Sequence, residues 1–236
     1  MTGAAIRAVI FDLDGCLVDS EPLVLGAIAA EMRALGIADA TAEEIRASFL
    51  GRSMDRIRAH VAARLGRPCP AEFGQRVEER LARSYPTDLR LSDGAPALLD
   101  RLDALGMRYG IATGGSVRRL EMTLEAVDLT ARFAGTGVSA DEVAEGKPAP
   151  DVFLRAAERL GVAPRQCLVI EDSPHGIEGA RRAGMPALGY VGGSHLQGIR
   201  DDHAEVLRRA GAAEVHRGLD TIGVWIDAQH MQGASR

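Results

Sequence analysis

The sequence predicts an α/β protein: a doubly wound parallel sheet with an all-helical block inserted after its first strand. Three observations predict it. The chain opens on a short apolar run, "AVIFD", that ends on an acid. Residues 21 to about 84 then carry only helical periodicity. From "SDGAPALLDRLDALG" onward, helical stretches alternate with short runs rich in β-formers. Such alternation is the signature of a parallel sheet wound on both faces.

Taken in order, "AVIF" reads as a buried strand, too short and too apolar for a surface helix. The block that follows reads as four helices: "EPLVLGAIAAEMRALG", "TAEEIRASFLG", "SMDRIRAHVAARLG" and "PAEFGQRVEERLARS". Each has apolar residues at helical spacing, and Gly or Pro separates most of them. Helix 94–105 leads into the strand "YGIAT", then come helix 116–126, a short strand "GTGVS", helix 150–160 and the strand "CLVIED". Helix 174–183, "PALGYV", helix 203–210 and "AEVHR" complete the alternation, leaving "QHMQGASR" as the one candidate for a disordered tail. The expected division is a core of residues 1–17 with 88–236 and a helical cap of residues 18–87. Two tethers, near 16–20 and 85–92, are what a hinged lid needs.

Composition narrows the function classes. The chain has 236 residues, is 46% hydrophobic and 26% charged, and carries a net charge of -5. That is ordinary for a globular protein with a real core and gives no basic footprint for nucleic acid or an anionic membrane. No apolar run approaches a bilayer span, and the first residues lack a signal-peptide pattern. Three cysteines at irregular spacing argue against a disulfide framework or a zinc site and fit a reducing cytoplasm. The 28 basic residues include a single lysine, Lys147, and asparagine is absent. A GC-rich genome accounts for losing both residue types, which makes the lysine that remains informative.

In sheets of this kind, ligands bind beyond the carboxyl ends of the strands. Four stretches fall there: "FDLDGCLVDSE", "IATGGS", "EGKPAP" and "VIEDSPHGI". Asp12 and Asp14 stand two apart just past the first strand, with Gly15 permitting a sharp turn. Close carboxylates resist joint ionisation, and Glu171 and Asp172 add further negative charge, so an oxygen-seeking cation such as Mg²⁺ is implied. Thr113 offers a hydroxyl, and Gly114 with Gly115 offers open backbone N–H groups ahead of a helix, a pattern suited to phosphate. "GTGVSA" mimics a dinucleotide fingerprint but lacks the surrounding βαβ unit, and Pro148 after Gly146-Lys147 excludes a P-loop.

Together these stretches resemble the haloacid dehalogenase superfamily, specifically its phosphatase branch with a helical cap after the first motif. "DLDGCLVDSE", "ATGGS", "GKPAPDVF" and "EDSPHGIEGARRAGM" occur in the family's order, and the match runs from about residue 6 to 216. The resemblance implies that Asp12 is the nucleophile, becoming an aspartyl phosphate. It implies that Asp14 protonates the leaving oxygen and then accepts a proton from water. Asp12, the Asp14 main-chain carbonyl and Asp172 would hold Mg²⁺, with Glu171 either a direct ligand or one layer out. Thr113 and Lys147 would bind the transferring phosphoryl group. Charge counting agrees: a phosphate dianion beside ionised Asp12 and Asp172 totals roughly -4, which Mg²⁺ and Lys147 largely offset. Lysine is a compact point charge, whereas arginine is a wide fork ill suited to a crowded pocket.

An acid at position 14 suits phosphatases and phosphomutases and argues against dehalogenation. The related β-phosphoglucomutases carry a cap histidine twelve residues after the nucleophile, where this chain has Val24. That departure favours hydrolysis over mutase chemistry. A non-catalytic phosphometabolite sensor is a third reading, disfavoured because nucleophile and acid are both intact. The segment "LGRSMD" resembles the specificity loop of such caps, making Gly51, Arg52 and Ser53 candidate substrate contacts. Small phosphorylated metabolites, sugar or polyol phosphates first, are the expected substrates of a cytoplasmic monomer or small homo-oligomer.

Other residues read blandly. His175 is a solvated first-turn residue, Cys16 a packed thiol, and Glu21 a favourable charge at a helix start. His195 and His203 are too far apart for a one-turn metal pair and have no acid in register.

Overall fold

The computed structural model describes residues 5–49 and 54–234. They form two compact units, one comprising residues up to Asp19 with those from Leu91 on, the other running from Ser20 to Arg90.

The chain begins with β1 (Ala8–Phe11), whose four residues are fully buried. Complete burial explains why the strand reads as a continuous apolar run rather than an alternating one. The Ser20–Arg90 unit follows as four helices: α1 (Glu21–Ala34), α2 (Ala42–Phe49), α3 (Met54–Leu65) and α4 (Phe73–Asp88). Pro22 sits in the first turn of α1, where its missing N–H costs no helical hydrogen bond. α1 packs on α2 and α4. Ile28, Met32, Ile45, Val61, Phe73, Leu81 and Tyr85 are among the buried side chains of this unit. Glu31 is buried as well, with Arg80 Nε 2.9 Å from its Oε2.

The rest of the chain is the alternating α/β part. It comprises α5 (Ala95–Ala104), β2 (Arg108–Thr113), α6 (Val117–Ala126), β3 (Gly137–Ser139), α7 (Asp151–Leu160) and β4 (Cys167–Glu171). Next come α8 (Pro174–Arg182), β5 (Ala187–Tyr190), α9 (Arg200–Ala210), β6 (Glu214–His216) and α10 (Leu219–Ala234). The six strands form one sheet in the order β3-β2-β1-β4-β5-β6, with every neighbouring pair parallel. α5 packs with α10, while α8 packs with both α7 and α9. Two separate groups of helices on a buried sheet are the mark of double winding.

α10 takes in residues 229–234 of the candidate tail, and Ser235 and Arg236 lie outside the described residues. Leu219, Ile222 and Ile226 are buried at helical spacing, and α10 packs against α5 and β6. The flanking polar residues "DAQHMQ" hide a stripe that only the partner helix makes visible. Among the described residues, no helix is long and apolar enough to cross a membrane.

Candidate active site

Strand order reverses between β1 and β4, so their carboxyl ends open the crevice where such sheets take ligands. Asp12 is the first residue beyond β1, and its N–H donates to the Ile170 carbonyl at 2.9 Å. Glu171 ends β4 and Asp172 follows it. The parallel register Phe11 to Ile170 therefore brings three carboxylates to one edge. One oxygen from each of Asp12, Glu171 and Asp172 lies within 4.8 Å of the others, and all three residues are buried.

The turn after Asp12 is tight. Leu17 and Val18 N–H groups both donate to the Leu13 carbonyl at 3.0 Å, and Gly15 N–H donates to Val18 O at 2.8 Å. Gly15 takes φ 76°, in the left-handed region that glycine adopts without strain. Asp12 and Asp14 take different partners from this turn. Asp14 Oδ1 lies 2.7 Å from Arg119 Nη2 on α6. Asp12 instead meets Lys147, which arrives on the loop before α7.

Lys147 Nζ donates to Asp12 Oδ1 at 2.5 Å and to Glu171 Oε2 at 2.7 Å. It also stands 5.2 Å from the Phe153 ring centroid, so an aromatic face completes its pocket. Burial works against its charge, but Asp12 and then Glu171 outweigh it and hold the ammonium above the ordinary lysine value. Burial pushes the Asp12 carboxyl well up, reinforced by the charge of Glu171 and opposed by Lys147. Burial likewise raises Glu171, with Lys147 opposing and Asp172 reinforcing. One lysine is thus shared between two buried carboxylates with a third beside them. Such a cluster has excess negative charge, and its donors are all oxygen, the chemistry a hard divalent cation requires. Glu171 has both oxygens engaged, Oε2 by Lys147 and Oε1 by Ser173 N and Oγ at 3.1 and 2.9 Å.

Thr113 ends β2 and is buried, its Oγ1 accepting from Gly115 N–H at 3.0 Å. Ser139 Oγ donates to the Gly115 carbonyl at 2.6 Å and so ties this turn to β3. A Cβ on Gly114 would meet no atom within 4 Å, so nothing packs against that side of its backbone. Ser116 caps α6 by accepting from Arg119 N–H at 3.1 Å, fixing the helix turn that carries the Arg119 side chain.

Several residues stand differently from their reading in the sequence. His195 does have an acid near it, brought from another strand: its Nε2 is 3.1 Å from Asp172 Oδ2, whereas His203 Nε2 meets only the Asp172 main-chain carbonyl, at 2.7 Å. Arg119 carried no local signal at all, since its partner lies on the turn after β1. Cys16 is buried with Sγ 3.6 Å from the Ile170 carbonyl, and burial followed by the charge of Asp12 pushes its thiol well up. His175 is half-buried in the first turn of α8, and Glu21 is the first residue of α1. Gly51, Arg52 and Ser53 lie outside the described residues.

The chain matches the family model "haloacid dehalogenase-like hydrolase" over residues 6–184. It is 35% identical over 193 residues to a phosphoglycolate phosphatase of Xanthomonas campestris, covering 80% of this chain and 85% of that protein. A haloacid dehalogenase family hydrolase from Deinococcus radiodurans, solved with bound phosphate and sodium, is 29% identical with a TM-score of 0.75. That match covers 96% of this chain and 97% of the other. A putative β-phosphoglucomutase from Thermotoga maritima is 28% identical with a TM-score of 0.73, covering 94% and 99% of the two chains.

Proposed function

The chain belongs to the haloacid dehalogenase-like hydrolases and is a phosphoric monoester hydrolase among them; from that premise we propose that it is a Mg²⁺-dependent phosphatase of small phosphorylated metabolites. The observation that carries the reading is Lys147. The only lysine in the chain is held between the buried carboxylates of Asp12 and Glu171, at the point where strand order reverses.

In this reading the Asp12 carboxylate attacks phosphorus, an aspartyl phosphate forms, and the alcohol departs. Asp14 gives its proton to the leaving oxygen, then takes one from the water that attacks the aspartyl phosphate, releasing phosphate and restoring Asp12. Lys147, the Thr113 hydroxyl and the Gly114 backbone N–H bind the phosphoryl oxygens and offset their charge. Asp12, the Asp14 main-chain carbonyl and Asp172 would hold Mg²⁺, with Glu171, already engaged by Lys147 and Ser173, in support. The bound ion would supply charge neutralisation beside the phosphoryl group.

The Ser20–Arg90 helices serve as the cap in this scheme, and Gly51, Arg52 and Ser53 are its proposed substrate contacts. Val24, where the mutases carry histidine, is buried and offers no proton carrier, which supports hydrolysis over phosphomutation. Sugar and polyol phosphates stay among the proposed substrates, and phosphoglycolate joins them because the Xanthomonas relative bears that name.

The test is phosphate release from a panel of these compounds, with Mg²⁺ and with EDTA, using wild type and Asp12→Asn. Metal-dependent release abolished by the substitution is expected. Release that persists undiminished in Asp12→Asn would remove the aspartyl-phosphate mechanism.

A further inference from the structure

We propose that Ser139 is a positioning residue for the turn that follows β2, acting on it through the Gly115 carbonyl; this rests on Thr113 and Gly114 binding the phosphoryl group, as proposed above. Ser139 is the last residue of β3 and pairs in register with Thr113, the last residue of β2. The two strands end level, so a short side chain on one reaches the turn that leaves the other. Ser139 is fully buried, where a hydroxyl costs stability unless its hydrogen-bonding capacity is used. Here it donates and accepts. Its Oγ donates to the Gly115 carbonyl at 2.6 Å and accepts from Asp141 N–H at 3.1 Å.

Gly115 is thereby held at both its polar groups, the carbonyl by Ser139 and the N–H by Thr113 Oγ1 at 3.0 Å. The second contact sets the role of the Thr113 hydroxyl. An oxygen that accepts from Gly115 keeps its own hydrogen for another acceptor, which is what a phosphoryl oxygen requires. Asp141, two residues beyond Ser139, accepts through Oδ2 from Val117 N–H at 3.1 Å. The segment after β3 therefore grips the turn at its carbonyl and at the first residue of α6. Glu142 closes that segment by accepting from Ser139 N–H at 2.9 Å and pairing with Arg159 on α7. The same segment runs on to Lys147, so the two arms of the proposed phosphate site are joined at Ser139. Donors held in place before an anion arrives need no reorganisation to bind it, and loss of the Ser139 hydroxyl removes one of those restraints.

The experiment is calorimetric titration of inorganic phosphate into the full chain in Mg²⁺ buffer, for wild type, Ser139→Ala and Ser139→Thr, with thermal unfolding as a control for folding. Threonine keeps the hydroxyl and suits a strand. Expected are a Kd for phosphate raised about three- to tenfold in S139A, the range one intramolecular hydrogen bond is worth, and restored to within about twofold of wild type in S139T. Equal Kd values in wild type and S139A would overturn the proposal. Equally weakened S139A and S139T would overturn it too, because packing rather than the donor would then matter. If S139A does not fold, Ser139→Cys against S139T repeats the comparison with a weak donor of similar shape, and equal Kd values in those two would be the overturning result. Absence of phosphate binding by the wild type would instead defeat the phosphate-site reading itself, and this inference with it.

Discussion

Arg119 Nη2 lies 2.7 Å from Asp14 Oδ1, with both side chains only 13% exposed. The acid two residues beyond Asp12 is therefore oriented by the helix that follows β2, not by its own turn. Ser116 caps that helix by accepting from the Arg119 main-chain N–H, so the backbone that carries the guanidinium is held.

If Asp14 is the general acid, Arg119→Ala lowers kcat by releasing the carboxylate from its orientation. General acid catalysis contributes about 10²–10⁴-fold, and losing orientation alone should lower the rate roughly 10- to 100-fold. The loss should be larger for a sugar or alkyl phosphate than for p-nitrophenyl phosphate, whose leaving group needs little protonation. Steady-state kinetics on the two substrates read this directly. An equal deficit on both would show that Arg119 serves binding or folding instead.

The Asp12–Lys147–Glu171 cluster predicts a pH signature in metal-free protein. Burial and the charge of Glu171 raise the Asp12 carboxyl, and burial raises Glu171. A carboxyl raised in the folded state keeps its proton longer there, so it favours folding below its unfolded value. That contribution is lost as pH rises through the folded value. Lys147 is also raised, with the same sign, but its contribution fades only in the alkaline range. In EDTA, wild type should therefore lose stability relative to Asp12→Asn as pH climbs from 5 to 8. A difference of 1 kcal/mol corresponds to about 2–4 °C in Tm for a chain of this size. Thermal scans of both proteins across that range measure it, and a constant Tm difference would contradict the raised carboxyl.

The fold was legible because its signals are local. "AVIF" is a complete buried strand, and alternation of helical and β-rich runs implies parallel pairing without knowledge of any partner. The acids at 12, 171 and 172 and the lone Lys147 were legible as charges that end strands or begin helices. The partnerships were not. Arg119 with Asp14, and His195 with Asp172, join residues whose proximity depends on the order β3-β2-β1-β4-β5-β6. No periodicity within ten residues of either partner encodes that order. α10 was missed for a related reason, since its buried stripe is narrow and its covering helix, α5, lies far back in the chain.

Thiol chemistry should bypass the candidate site. Cys16 is fully buried and its thiol is pushed well up, and Cys167 is buried with its thiol raised to about 11. Cys69 has its thiol raised by burial too, but it alone of the three is partly exposed and open to a reagent. Native protein treated with a disulfide reagent should therefore release about one equivalent quickly, all of it lost in Cys69→Ser, with activity unchanged. Rapid inactivation that tracks Cys16 labelling would mean that the turn after β1 opens far more readily than its hydrogen bonds imply.

Lys147 gives the sharpest comparison, because the chain uses arginine at every other basic position. Its Nζ has to reach Asp12 Oδ1 and Glu171 Oε2 at 2.5 and 2.7 Å beneath the Phe153 ring, a junction sized for a point charge. A guanidinium keeps the charge but cannot bring one nitrogen to both oxygens without displacing the ring or the strand end. Lys147→Arg should therefore fold yet lose about 10²–10³-fold in kcat/KM, the cost of misplacing one preorganised donor. Lys147→Met should also lose activity, and in EDTA it leaves two buried carboxylates without their cation, a deficit of about 3–5 kcal/mol. On the proposed mechanism, added Mg²⁺ should recover part of that stability in Lys147→Met but little of the activity in either variant, because the ion would neutralise the carboxylates without replacing the proposed donor to the phosphoryl oxygen. Kinetics and Mg²⁺-dependent unfolding of the two variants separate these roles. Near wild-type activity in Lys147→Arg would mean that codon usage alone, and not the shape of this pocket, explains the lone lysine.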